Sequence, residues 1–519
     1  MSLAVPFTIV GSATLLSRVT GFVRDILVAA LLGTGAVAEA YVAAFLLPNL
    51  VRRMMSEGGL HAAVVPRLAR LEQEGGPKAA RAFADDLLAM LSVVAIVVVL
   101  VAEIFMPQIM SVLAHGFVND PPKFANAVLF GRIAFPFVGF TLVLALYAAL
   151  LNSVERYAAA ALVPVVLNLL LIGVMVALLV ATDISQRRAG LFLVITILAA
   201  GAIQLVLLAV SVSRSGFSPF PRLSSFRSGG FSPDARAVLL LTLPGMLIAG
   251  SGHIHLVLAS QFASLTPRGL ASLYFADRLF QLPLGFAASA MGIVLLPRIS
   301  RALRAGDEAA LNAARGESFH FAALLILPAA TALYLLAGPI ISVLFERGAF
   351  SAADSQATSA NLRILALALP AFVLAKIILP EFLAEERMRV PLFAAFLACL
   401  VNVASVLGLR ATSETLAPVM GVAIGAWFYA SLLMVLARNR LRLGIAALRG
   451  LLGAMFATIG MGIALVVLTG WMTPWLDPSQ GFLIKGSALI ALCLLGLGTH
   501  LGLARLLGVL DLKRFRIEP

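Results

Sequence analysis

Apolar runs of bilayer length recur from one end of this chain to the other, and that feature limits the fold more than any other. LLAMLSVVAIVVVLV over 87–101 and LLGAMFATIGMGIALVVL over 451–468 are two clear examples. A spanning segment has no water to satisfy its backbone, so only helices and closed barrels cross a membrane. The runs lack the period-two alternation of barrel strands. The chain is therefore read as an all-α polytopic membrane protein. Its 519 residues are 61% hydrophobic and 12% charged, with a mean hydropathy of +1.03. Soluble domains carry about a quarter of their residues charged.

At ~20 residues per crossing, about fourteen spans fit, beginning near Pro6, Ala36, Ala84, Asn126, Ala158, Gly190, Ala237, Leu270, Phe319, Ala357, Val390, Leu416, Gly450 and Phe482. The net charge of +13 sits mostly in alternate loops. Arg67, Arg70, Lys78 and Arg81 follow the second span; Arg214, Arg222, Arg227 and Arg236 the sixth; Arg298, Arg301, Arg304 and Arg315 the eighth. Arg438, Arg440, Arg442 and Arg449 follow the twelfth, while the intervening loops hold isolated members such as Lys123, Arg268, Arg347 and Arg410, with Arg187 and Arg188 as the one exception. Alternation of this kind reports orientation, which places both termini in the cytoplasm and argues against a nucleic-acid partner. No basic leader with a small-residue cleavage site precedes Arg18, so no cleaved signal peptide is expected. Cys399 and Cys493 lie in separate apolar runs and support neither a disulfide framework nor a zinc site.

Two stretches repeat. AVVPRLAR at 63–70 matches IVLLPRISR at 293–301, and FGRIAFPF around Arg132 matches NLRILALALP around Arg363. VERYAAAALVPVVLN, ending at Asn168, matches EERMRVPLFAAFLACLVN, ending at Asn402, and the offset stays near 231 to 234 residues. Six spans fit that interval, so the halves enter the membrane in the same sense, the plan of transporters that rock about a central site. The expected division is a six-helix lobe over 1–215, a cytoplasmic linker over 216–236, a second six-helix lobe over 237–440, and two extra helices with a basic tail over 441–519.

Ionisable residues within the spans are few. The first span carries Arg18, Arg24 and Asp25; the second Glu39, Arg52, Arg53 and Glu57; the eighth Asp277 and Arg278. A central arginine costs about 2.5–3.5 kcal/mol on insertion scales, so such groups face protein or water. All five cations are arginine, whose planar fork grips phosphate or carboxylate oxygens. Two readings fit: a site for an anionic headgroup, or internal pairs with Asp25, Glu57 and Asp277 that fix packing. The excess of arginines over acids favours the first. Arg53 and Glu57, four apart, can pair, and Pro48 with Gly58 and Gly59 can let the helix bend. His253 and His255 read as hydrogen-bonded bundle residues and Lys376 as a snorkelling one. No Walker sequence, HExxH or GxSxG occurs, so neither nucleotide hydrolysis nor familiar hydrolase chemistry is expected: the chain reads as a transporter, not an enzyme.

SRVTGFVRD at 17–25, FLLPNLVRRMMSEGGLHAAVVPRL at 45–68, YFADRLFQLPLG at 274–285 and LLPRISR at 295–301 together resemble the MurJ (MviN) family of lipid II flippases, within the multidrug, oligosaccharidyl-lipid and polysaccharide exporter superfamily. The resemblance covers essentially the whole chain. It implies a multi-pass protein of the bacterial inner membrane that moves the undecaprenyl-pyrophosphate-linked peptidoglycan precursor to the periplasmic leaflet. It also implies substrate binding by Arg18, Arg24, Arg52, Arg53 and Arg278 with Ser17 and Asn49, and cavity charge or gating roles for Asp25, Glu39, Glu57 and Asp277. The last two spans are implied to form a groove for the lipid tail. Leu46 and Gln281 stand where some members carry a basic and an acidic residue. Asn402 is a lone candidate for a sodium ligand, without a convincing acidic set around it. The expected mechanism is alternating access by a monomer in the bilayer, with no cofactor and with coupling to the membrane potential or an ion gradient. The alternative is an exporter of another polyprenyl-diphosphate-linked oligosaccharide, which arginines alone do not distinguish.

Overall fold

The computed structural model describes residues 4–56, 59–181, 184–217, 219, 231–384, 387–437, 444–477 and 479–510. Helices are the only regular elements among them. They are α1 (Ala4–Leu32), α2 (Ala36–Ser56), α3 (Gly59–Ile104), α4 (Met106–Leu113), α5 (Pro121–Ala134), α6 (Pro136–Ser153), α7 (Tyr157–Val180), α8 (Gln186–Ser213) and α9 (Pro233–Ala263). There follow α10 (Gly269–Ala305), α11 (Glu308–Leu335), α12 (Ala337–Phe345), α13 (Ala352–Ala384), α14 (Arg389–Leu409), α15 (Ala417–Ala437), α16 (Ile445–Leu476) and α17 (Phe482–Leu506). Each predicted span start falls on a helix, or one residue before one at Leu416. Ten helical stretches in the described residues are long and apolar enough to cross a membrane. Neither α1 nor α2 is among them; the one carries Arg18, Arg24 and Asp25 and the other Glu39, Arg52 and Arg53.

The described chain forms two compact units, Met1–Ala271 with Gly348–Phe350, and Ser272–Arg347 with Ser351–Pro519. In the first, α1 lies along α7, α2 along α5, and α3 against α6 and α9. Leu60, Leu87, Leu91, Leu150, Leu208 and Val238 form its buried core. Gly76, at φ 71°, interrupts α3 and separates its basic first part from the apolar stretch that crosses the bilayer; only glycine takes that backbone without strain. In the repeated motif, Pro136 opens α6 where α5 ends, so one span is built from two helices, whereas α13 continues through Pro370.

In the second unit α11 packs on α13 and α16, α13 on α15, α14 on α15, and α16 on α17. The two helices outside the repeat are thus seated on α11. His320 of α11 donates from Nε2 to the Val509 carbonyl at 2.8 Å, and His500 of α17 from Nε2 to the Leu324 carbonyl at 3.1 Å. Gly450 of α16 lies so close that a Cβ there would stand 1.8 Å from Nδ1 of His320. Because Val509 pins the ring, Gly450→Ala is expected to lower thermal stability by about 1–3 kcal/mol. An unchanged unfolding temperature of the detergent-solubilised protein would refute that contact.

The loop assignments of Lys123 and Arg315 are corrected: Lys123 lies buried in the first turn of α5. Arg315 falls inside α11, not in the basic loop before it, and is only 6% exposed. Its Nε donates to Glu381 Oε1 of α13 at 2.6 Å, its Nη2 to Glu381 Oε2, and its Nη1 to Asn312 Oδ1 at 3.2 Å. A charge counted as orientation signal is in fact a buried bidentate pair that joins two helices.

Candidate substrate-binding site

On α1, Ser17, Thr20, Gly21 and Arg24 recur at helical spacing and form the stripe that meets α7. Arg24 is buried there. Its Nε and Nη2 donate to Oδ1 of Asp25 at 3.1 and 2.7 Å, and its Nη1 donates to Oδ1 of Asn168 at 3.0 Å. The Asn168 amide donates in turn to the Ser17 carbonyl at 3.1 Å and to Thr20 Oγ1 at 3.2 Å. Arg18 is half-buried on a different face, about 120° around the helix and about 9 Å along it from Arg24. The two arginines of α1 therefore address different surroundings.

On α2, Arg52 and Arg53 diverge by about 100°. Arg52 Nη2 donates to Oδ1 of Asn49 at 2.8 Å, one turn back on the same helix. Arg53 Nη1 lies 3.2 Å from Nδ1 of His253 on α9. Arginine has no acceptor, so that nitrogen is the unprotonated one. An amide and an imidazole are thus among the groups that hold these two guanidinium groups. Glu57, the partner expected for Arg53, lies outside the described residues. The helix runs through Pro48 unbroken.

Glu39 occupies a separate place. It is 1% exposed, and its Oε2 accepts from Lys123 Nζ at 2.6 Å, while its Oε1 accepts from the Leu270 N–H at 3.1 Å. Lys123 also lies 4.2 Å from the Phe117 ring centroid. Glu39 thus ties the start of α2 to α5 and to the first residues of α10. In the second unit, Arg278 stacks on Tyr274 with its guanidinium carbon 4.3 Å from the ring centroid, and Gln281 Nε2 donates to Oδ2 of Asp277. A neutral amide at 281 suits a neighbouring carboxylate that a second acid would repel.

The structure thus links the Ser17 carbonyl to Arg24 through Asn168, pairs Arg24 directly with Asp25, joins Asn49 to Arg52, sets Arg53 on His253, and places Glu39 apart on Lys123. Among the described residues no group of three or more His, Cys, Asp or Glu side chains is placed to hold a metal. Sequence reasoning overlooked Asn168 and Lys123 as partners. Asn168 closes one of the repeated motifs, a polar residue in an otherwise apolar run, and that was the available signal.

The fold is shared with solved structures of a lipid II flippase and of a MATE family transporter. It is similar to a solved lipid II flippase MurJ in an inward closed conformation, with a TM-score of 0.77, 19% identity, and 98% of this chain and 99% of that one covered. It is also similar to an inward-facing MATE family transporter of the MOP superfamily, with a TM-score of 0.65, 16% identity, and 84% and 98% covered. The family model for the lipid II flippase MurJ matches residues 28–484. A probable lipid II flippase MurJ of Rhizobium meliloti is 36% identical, with 91% of this chain and 88% of the relative covered. One from Rhizobium tropici is 34% identical over 99% and 96%. The chain belongs to the MurJ lipid II flippase family and is a multi-pass protein of the bacterial inner membrane.

Proposed function

We propose that this protein carries lipid II, the undecaprenyl-pyrophosphate-linked peptidoglycan precursor, from the cytoplasmic to the periplasmic leaflet. Membership of the family over residues 28–484 is the observation that carries this reading. The arginines give it a chemistry: Arg18, Arg24, Arg52, Arg53 and Arg278, with Ser17 and Asn49, bind the diphosphate and sugar headgroup while the polyprenyl tail stays in lipid. Asp25, Glu39, Glu57 and Asp277 set the charge and the gating of that cavity. Guanidinium forks match diphosphate oxygens and hold their charge at any physiological pH.

The carrier works as a monomer by alternating access of two six-helix lobes, without nucleotide hydrolysis and with both termini in the cytoplasm. The exposed apolar faces of α16 and α17, among them Phe456, Ile463 and Leu494, offer a lipid tail a track beside the second lobe. The membrane potential, worth about 2.3 kcal/mol per charge at 100 mV, resets the empty cationic carrier.

Depletion of the protein in its own cells tests the function. Lipid II is expected to accumulate on the cytoplasmic face, and the wild type but not Arg24→Ala or Arg278→Ala is expected to relieve it. Accumulation of a different lipid-linked glycan would replace the substrate with that one.

A further inference from the structure

The helix α8 ends in a turn over 214–216, where Gly216 takes φ 87°. Two other elements reach that turn. Arg81 of α3 donates from Nη2 to the Gly216 carbonyl at 2.7 Å, and Arg156, just ahead of α7, donates from Nη1 to the Arg214 carbonyl at 3.0 Å. Residues two apart in sequence stand at most about 7 Å from each other. Arg81 and Arg156 therefore converge on the residue that carries a third guanidinium, Arg214, and all three are exposed.

Donating to the carbonyls at a helix C-terminus is an ordinary task for arginine. It uses one N–H of the five on each guanidinium and leaves the charge in place. Among the described residues none of the three forms an ion pair with a carboxylate, that of Glu155 beside Arg156 included. Elsewhere in the same unit, Arg67 and Arg70 both donate to Oδ1 of Asp234, at 2.6 and 3.1 Å. A carboxylate offsets two arginines there, whereas at the end of α8 three positive charges stand together.

The helix surface leading to the cluster is apolar. Ile203, Val206, Leu207 and Val210 are 42–62% exposed and recur at helical spacing, and Arg214 continues their stripe. Ile203 stands about 16 Å from Arg214 along the helix, close to the depth of one leaflet in a hydrocarbon core of ~30 Å. One face of α8 thus offers apolar contact over the length of an acyl chain and ends in cations.

We propose that the turn after α8 binds an anionic glycerophospholipid, its phosphate held by Arg81, Arg156 and Arg214 and its acyl chains laid along α8. Guanidinium forks match the two unesterified oxygens of a phosphodiester, and basic pockets between helices are a recurring place for anionic headgroups. A choline headgroup brings its own cation, which the cluster repels, so phosphatidylglycerol is favoured over phosphatidylcholine. With the orientation proposed above, the lipid belongs to the cytoplasmic leaflet. None of the arginines assigned to the transported substrate lies on α3, α7 or α8, so the two readings stand or fall separately.

The test is phosphatidylglycerol binding to the purified full chain in detergent, resolved lipid by lipid by native mass spectrometry. Phosphatidylcholine is the comparison lipid and thermal unfolding the control for folding. Arg81→Gln, Arg156→Gln and Arg214→Gln together are expected to weaken the tightest phosphatidylglycerol site about tenfold or more. Arg81→Lys, Arg156→Lys and Arg214→Lys together keep the charge without the forks; that variant is expected to fall between, and it replaces the first should the glutamine variant fail to fold. Arg187→Gln with Arg188→Gln removes charge at the opposite end of α8 and is expected to leave binding unchanged. Wild-type affinity in the glutamine variant, or in the lysine variant if that alone folds, would overturn the proposal, as would an equal loss from the change at 187 and 188.

Discussion

Arg52→Ala is expected to slow lipid II translocation by about 10- to 100-fold at subsaturating substrate while leaving the fold as stable as before or more so. The two halves of that expectation come from different physics. A charge-assisted hydrogen bond to phosphate is worth about 1.5–3 kcal/mol, which sets the transport loss. Burying an arginine at mid-membrane costs about 2.5–3.5 kcal/mol on insertion scales, and alanine removes that cost. The hydrogen bond to Asn49, one turn back on the same helix, goes with it. Arg52→Lys keeps the charge but not the fork and is expected to fall between. Flux into proteoliposomes and thermal unfolding, measured on the same preparations, decide the matter. Parallel loss of transport and stability would mark Arg52 as a packing residue.

Glu381→Ala is expected to have the opposite signature, a loss of about 3–5 kcal/mol of stability. It leaves Arg315, which is 6% exposed, without the carboxylate that takes two of its donors. Replacing the pair together, Arg315→Met with Glu381→Leu, is expected to recover most of the loss, because the desolvation cost of both charges goes with them. A single variant as stable as the wild type would show that the pair contributes little to holding α11 against α13.

Helix positions and the repeat were legible in the sequence because both rest on one-dimensional patterns: apolar length, loop charge and a constant offset. Partners were not. Arg52 and Arg53 are adjacent letters, yet the turn between them sends one toward Asn49 and the other toward α9. Lys123 read as an isolated loop charge, although it lies buried against Glu39. Arg315 read as an orientation signal for the same reason: a hydropathy pattern counts a charge without knowing what faces it. The Arg24–Asp25 contact was legible, being between neighbours, whereas Asn168 required knowledge of which face of α1 meets α7.

The separations along the chain have a consequence for biosynthesis. Arg24 and Asn168 are 144 residues apart, and Arg53 and His253 are 200 apart. At about 5–20 residues per second, Asn168 is made roughly 7 to 30 seconds after Arg24 and His253 roughly 10 to 40 seconds after Arg53. Asp25, the next residue along, and Asn49, one turn from Arg52, are the polar companions already present when α1 and α2 emerge. The local contacts are therefore the ones that can shelter these charges during insertion, and the distant ones fix their direction after the rest of the chain has arrived.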